Sequence, residues 1–274
     1  MKLIDIHAHL NFSDYDADRA AVIARTVAAG CGVINVGTDL ETSRQVVKLA
    51  EENNLMWATV GVHPHDAERE INWPELEKLA AHKKVVAIGE CGLEINPKLE
   101  IRNPKQMKKQ KEIFAKQIEL ALAVQKPLMI HCRGAYPELL DFLVSDFDIR
   151  NSSARRRGGD LAANLHFFAG TVAQAKQFLD LGWTLSFTGV ITFPPKAGQP
   201  RADTYRELIK FVPTDRIMAE TDAPFVAPAP HRGQRNEPLF VTEVIKRLAE
   251  LKGVSPEQMA AQSLATARKT FALP

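Results

Sequence analysis

Residues 85–90, Val85-Val86-Ala87-Ile88-Gly89-Glu90, run apolar without alternation and then end on a glycine and one carboxylate. A strand with a solvated face alternates polar and apolar side chains, so a run that is apolar on both faces reads as a strand of a parallel sheet covered by helices. Seven more short runs along the chain share this character: residues 2–7 (KLIDIH), 32–37 (GVINVG), 56–63 (MWATVGVH), 127–132 (PLMIHC), 164–169 (NLHFFA), 184–189 (TLSFTG) and 217–222 (IMAETD).

Between the runs, apolar residues recur at the spacing of a helix with one buried face, as in residues 18–29, 40–53, 106–125 and 171–181. Eight strand-then-helix units in 274 residues fit one α/β domain, a (β/α)8 TIM-type barrel, whose usual size is about 250 residues. The expectation is a single domain over residues 1–274. Two doubly wound domains would call for a linker and a glycine fingerprint after the first strand, and neither is found.

Bulk composition narrows the class further. With 45% hydrophobic and 25% charged residues the chain is an ordinary globular one, and a net charge of +2 gives no overall field to attract nucleic acid, so any such binding rests on local patches. The N-terminal MKLIDIHAHL lacks a signal-peptide apolar region, and nowhere do about 18 apolar residues run together. A cytoplasmic protein with no membrane partner is expected. Cys31, Cys91 and Cys132 are odd in number and lack CxxC spacing, which argues against a disulfide framework or a zinc ribbon.

Working groups of a barrel sit where strands end and the next loops begin. Here those ends are polar. The first strand ends in Asp5-Ile6-His7-Ala8-His9, and side chains two apart share a face, so His7 and His9 aim together into the barrel mouth. Glu90 ends the fourth strand, His131 the fifth, His166 the sixth and Asp222 the eighth, while the third runs into His63-Pro64-His65. Four histidines and two carboxylates make a nitrogen and oxygen ligand set suited to zinc, manganese, iron or magnesium. We read His7, His9 and Asp222 on one divalent cation, His131 and His166 on a second, and Glu90 bridging both, since one carboxylate can span ions about 4 Å apart. Such a pair activates water near neutral pH and neutralises charge on a phosphoryl group, with Asp222 as the proton acceptor.

Each of these residues also has a plainer reading. Histidines inside a barrel can be bonded only to neighbours, Glu90 can belong to a buried salt bridge, His131 and His166 can be structural caps of strand ends, and Asp222 can cap a helix opening at Ala223-Pro224. Their convergence from five strand ends favours the metal reading. Of His63 and His65, the strand parity of His63 brings it to the mouth sooner; His65 belongs to an outer position, and one of the two can serve the turn around Pro64.

The stretches Asp5-Ile6-His7-Ala8-His9-Leu10, Gly61-Val62-His63-Pro64-His65, Gly89-Glu90-Cys91-Gly92-Leu93, His131-Cys132-Arg133, His166-Phe167-Phe168-Ala169-Gly170, Glu220-Thr221-Asp222-Ala223-Pro224 and Arg235-Asn236-Glu237-Pro238 resemble, in this order, the TatD family of metal-dependent deoxyribonucleases within the amidohydrolase-like barrels. The resemblance implies a nuclease with those six metal ligands and with His63 near the substrate phosphate. The chain departs from the family's usual pattern in two places: Glu94-Ile95 stand where an aspartate and an aromatic are common, followed by a basic insertion through Lys111, and Thr266 stands for an asparagine.

A phosphate substrate also suits the loops on the metal side, which carry Lys98, Arg102, Lys105, Arg133, Lys196, Arg201, Arg232 and Arg235. Arg133 and Arg235, with His63 and His65, are the substrate contacts we expect; Arg232 and Arg235 can instead pair with Glu237. The run Arg155-Arg156-Arg157 precedes the sixth strand and so falls on the opposite face. The leading reading is a 3′-5′ exonuclease-like phosphodiesterase on DNA, single-stranded or at ends, with RNA also in range, using magnesium, manganese or zinc. Amide or ester hydrolysis on the same barrel often uses a carboxylated lysine at the fourth strand, where this chain has Glu90. A barrel that binds nucleic acid without catalysis predicts a broken ligand set, and none of the six is missing.

Overall fold

A computed structural model describes residues 1–95, 104–147, 161–194 and 201–274. Its eight strands are β1 (Leu3–Ala8), β2 (Cys31–Val36), β3 (Met56–Val60), β4 (Val85–Glu94), β5 (Leu128–Arg133), β6 (Ala163–Leu165), β7 (Thr184–Phe187) and β8 (Ile217–Ala219). They pair in chain order, each parallel to the last. Between them run α1 (Arg19–Ala28), α2 (Leu40–Glu52), α3 (Trp73–Ala80), α4 (Pro104–Val124), α5 (Tyr136–Asp141), α6 (Val172–Asp180) and α7 (Arg201–Phe211); α8 (Val241–Lys252) and α9 (Pro256–Phe271) follow β8. Capping boxes start three of the helices: Asp39 with Thr42 at α2, Thr171 with Gln174 at α6, and Ser255 with Gln258 at α9.

Two apolar clusters separate the faces of the sheet. Leu128 and Ile130, Ile217 and Ala219 pack with helix residues in the larger cluster, whereas the alternate residues Met129 and Met218 join Ile4, Ile6, Ile34 and Trp57 in a smaller one. The smaller cluster is therefore the barrel lumen. Leu264, Ala267 and Phe271 of α9 and Leu273 beyond it belong to the lumen as well, so the last helix plugs it. Full burial of Phe271, Ile4 and Ile6 contributes about 1.5–3 kcal/mol for each side chain.

The seam between β8 and β1 explains how that helix gets in. Glu220 donates its N–H to Phe187 of β7 (3.1 Å), which leaves the neighbouring N–H groups of Ala219 and Thr221 facing β1. Side chains satisfy both: Ser263 Oγ of α9 accepts from Ala219 (3.0 Å), and the buried Asp5 carboxylate accepts from Thr221 N (2.9 Å), Thr221 Oγ1 (2.5 Å) and His7 N (3.2 Å). Only above them does main chain meet main chain, through Asp222 N to His7 O (2.9 Å) and His9 N to Ala223 O (2.7 Å). The barrel closes at its C-terminal mouth, on residues that carry the expected ligands.

Observed strand ends depart from the sequence expectation on one side only. Runs 164–169 and 217–222 read as strands to their ends, but β6 stops at Leu165 and β8 at Ala219. Phe167 and Asp222 have left-handed backbones, φ +47° and +57°, which no strand can continue through. At Asp222 no helix begins, so the helix-cap reading of that residue does not hold.

Candidate metal centre

Glu90 lies at the middle of the site, and the backbone around it admits only glycine. A Cβ on Gly89 would collide with the carbonyl oxygen of Met129, and one on Gly92 would collide with that of His131; such contacts exclude any side chain. The close approach of β4 to β5 brings the Glu90 carboxylate beside His131. Glu90 Oε1 faces His131 Nδ1 (2.8 Å) and His166 Nε2 (2.8 Å), while Oε2 faces His7 Nε2 (3.5 Å) and His9 Nε2 (3.8 Å). Asp222 Oδ1 completes the second group, 3.7 Å from His7 Nε2 and 3.5 Å from His9 Nε2. The structure thus brings all six expected ligands together.

Whether this set fits divalent cations can be judged on the donors. Atoms sharing one tetrahedral ion with bonds of 2.0–2.1 Å lie about 3.4 Å apart. His7 Nε2 and His9 Nε2 are 3.2 Å apart, His131 Nδ1 and His166 Nε2 likewise 3.2 Å, and the His7 and His9 separations from Asp222 and Glu90 run from 3.5 to 3.8 Å. Those spacings match ligand edges. His9 is also held in a ligating orientation, because its Nδ1 meets the carbonyl of Val36 at 3.0 Å and leaves the Nε2 lone pair to the cluster. The residues fit divalent-cation binding.

Titration behaviour agrees with that reading. Burial opposes charge on Glu90, yet His166, His63 and the hydrogen bonds from His131 and His166 hold its carboxyl well below the usual range. Asp222 is likewise held low, its burial outweighed by the His9 hydrogen bond and the fields of His7 and His166. Burial drives His7 down to about 4 and His63 down to about 3, whereas His166, despite burial, is drawn up to about 9 by Glu90, Glu220 and Asp222. Two ionised carboxylates that hold a proton on a buried imidazole are carboxylates that attract a cation.

His63 sits just outside this group, with Nε2 3.7 Å from Glu90 Oε1 and Nδ1 accepting the N–H of His65 at 3.1 Å. It serves the turn and the site together. Gln117 of α4 clamps the preceding residue, accepting from Val62 N (2.7 Å) and donating to Val62 O (2.9 Å). His65 is exposed, and its Nε2 lies 3.4 Å from Glu94 Oε2.

Residue types at strand ends did not reveal three carboxylates that matter here. Glu94 is buried, 3.7 Å from the outer nitrogen of His131 and 3.7 Å from Arg133 Nη1. Glu220 stands behind His166, 3.8 Å from Nδ1, accepts from Ser186 Oγ (2.7 Å), and is pushed by burial up to about 7. Asp5 pins the seam. The available signal was that Asp5 and Glu220 stand inside the quoted motif stretches and Glu94 directly after one.

The expected basic rim is less uniform. Arg133 is exposed at the end of β5. Arg235 forms a bidentate pair with Asp18 (2.7 Å for both bonds) and lies over Tyr15, so its guanidinium fastens the loop after β8 to the segment before α1. Glu237 pairs with Arg25, not with Arg232 or Arg235. Arg232 lies over Phe193. Lys98, Arg102 and Lys196, the side chain of Arg201, and Arg155-Arg156-Arg157 lie outside the described residues.

Comparison with known proteins turns on the same motifs. The family described as TatD related DNase matches residues 4–272. The chain belongs to the TatD family. YabD of Bacillus subtilis, named a metal-dependent hydrolase, is 36% identical, covering 98% of this chain and 98% of its own length. The 3′-5′ ssDNA/RNA exonuclease TatD of Citrobacter rodentium is 34% identical over 99% of this chain and 98% of its own. The crystal structure of the TatD homolog YjjV from Escherichia coli aligns with a TM-score of 0.82 at 27% identity, covering 100% of this chain and 99% of that one. This member of the TatD family is a metal-dependent hydrolase on a single TIM-type barrel sheet.

Proposed function

We propose that this hydrolase is a 3′-5′ exonuclease on single-stranded DNA and RNA, working with two divalent cations drawn from magnesium, manganese and zinc. The observation that carries the reading is the split of the Glu90 carboxylate, with Oε1 toward His131 and His166 and Oε2 toward His7 and His9. A carboxylate that turns one oxygen to each group of imidazoles could be shared by two cations, which Glu90 would then hold together. In this reading His7, His9 and Asp222 hold one ion, and His131 and His166 the other. The name of the Citrobacter rodentium relative supports the substrate class.

Bound there, the cations supply Lewis acidity toward a phosphoryl oxygen and acidify a water. The protein's own groups do the rest. Asp222 turns Oδ1 to both imidazoles and keeps its other oxygen to take the proton from the attacking water. His63 is neutral, held down to about 3 by burial, and since Nδ1 accepts from His65 N its hydrogen is on Nε2, facing the cluster. That N–H donates to a phosphate oxygen of the substrate, and Arg133 on the rim meets a neighbouring phosphate. The chain has Glu90 where amide and ester hydrolases of this fold often use a carboxylated lysine, which favours the phosphodiester substrate. The reading places the enzyme in the cytoplasm, with its nucleic-acid substrates; no described helix is long and apolar enough to cross a membrane.

The test is a 5′-labelled single-stranded oligonucleotide given to protein stripped by chelator and then reloaded with manganese. Stepwise shortening from the 3′ end that needs the metal and disappears in Asp222→Ala is expected. Internal cuts, shortening from the 5′ end, or no cleavage with metal restored would each overturn the proposal.

A further inference from the structure

Phe225 has the highest exposure, 49%, among the exposed large apolar side chains of the described residues. It follows Asp222 by three positions, and its backbone is fixed on both sides: its N–H donates to Asp222 O (2.9 Å), and its C=O accepts from Asn236 Nδ2 (2.6 Å). Asn236 is buried and also donates to Thr221 O (2.9 Å). A rigid backbone therefore holds an apolar ring in water beside the metal-ligand cluster. Behind it stands Phe12, 6.1 Å away at 70°, and Phe12 stacks on His9 at 4.6 Å and 14°. Rings lead from the cluster to solvent without a break.

An aromatic ring exposed on a fixed backbone is a surface on which a planar apolar group gains both hydrophobic cover and ring stacking. One ring is far too little for a protein interface, which takes about 800 Å² on each partner. Nucleobases are the planar apolar groups that a single-stranded phosphodiester brings to this place, and each presents a π-face whatever its identity. We propose that Phe225, backed by Phe12, is a stacking subsite for an unpaired base of the strand whose phosphate lies at the cluster. This rests on the nuclease reading above and adds to it a physical cause for preferring single strands: a paired base has its faces covered by its neighbours. Stacking also carries no hydrogen-bond readout, so the subsite accepts all bases.

The experiment compares an oligonucleotide with the same strand made abasic at its two 3′-terminal positions. The wild type is expected to show a KM for the base-bearing strand about tenfold below that for the abasic one, the scale of one stacked base. Phe225→Ala should bring the two values together, and Phe225→Trp should restore the gap. Equal ratios in wild type and Phe225→Ala would overturn the subsite while leaving the nuclease standing; a wild type that cleaves neither strand would overturn the nuclease reading itself.

Discussion

The two halves of the candidate metal centre are built by different means. His7, His9 and Asp222 are placed by the main chain: Asp222 N donates to His7 O, His9 N to Ala223 O, and His9 Nδ1 meets Val36 O. The outer nitrogens of His131 and His166, like Nδ1 of His7, make no hydrogen bond among the described residues, but those of His131 and His166 face the carboxylates of Glu94 and Glu220 at 3.7 and 3.8 Å. The first half is part of the closure of the barrel, so its geometry comes with the fold. In the second half, the outer faces of the rings meet two buried acids, one of which, Glu220, also accepts from Phe167 N and Ser186 Oγ. Damage to the two halves should accordingly have different signatures.

Glu90 belongs to both halves, and its loss should show the largest effect. Glu90→Gln keeps the shape but removes the charge and one acceptor oxygen, and we expect kcat to fall by about 10³-fold or more, which adds about 4 kcal/mol to the barrier. Metal content measured after dialysis should fall in both halves together. If one full ion remained with unchanged affinity, Glu90 would serve a single half and the bridging assignment would be wrong.

Asp5 comes next, because it joins the first half to the fold. Three donors converge on its carboxylate, and Asp5→Asn turns an amide toward some of them; the loss of well-paired buried bonds is expected to cost about 3 kcal/mol in urea unfolding. Metal affinity of the His7 and His9 half should fall with it. A variant of full stability with weakened metal binding would mean that Asp5 acts on the ligands alone, not on the seam.

Much of this could be read in the chain, and the exceptions have a physical pattern. All eight strands were legible because a doubly covered parallel strand is apolar throughout, and the convergence of the six candidate ligands because each stands where such a run turns polar, as His131 does after Leu128-Met129-Ile130. Helix bounds at α1, α2, α4 and α6 fall within two residues of the apolar pattern. Asp5 and Glu220 were not legible as seam and support, because their partners stand on other strands, Thr221 216 positions from Asp5 and Ser186 34 positions from Glu220, and only the fold brings them near. The ends of β6 and β8 were misread because propensity does not report a positive φ at Phe167 or Asp222. Arg235 read either as a rim cation or as a partner of Glu237, and only the fold shows Asp18 beside it.

The second half offers the finer contrast. Glu94→Gln and Glu220→Gln each remove a carboxylate from the outer side of a metal-facing imidazole, a change that commonly weakens metal affinity about 10- to 100-fold. The manganese titration step that belongs to the His131 and His166 half should shift by that amount in both variants, with the step of the His7 and His9 half left in place. Equal weakening of the two steps would erase the distinction between the halves.

Ser263 gives the smallest effect and the cleanest control. Its hydroxyl accepts the N–H of Ala219 at the foot of the seam, on a helix that carries none of the candidate ligands. Ser263→Ala leaves that N–H without a partner in a buried place, which should cost about 1–2 kcal/mol of unfolding free energy. Because the main-chain ties at His7, His9 and Asp222 lie higher on the same seam, both manganese steps should stay where they are in the wild type. Were the His7 and His9 step to weaken as well, closure would be cooperative along the whole seam, and the first half would owe its geometry to the plugging helix as much as to its own hydrogen bonds.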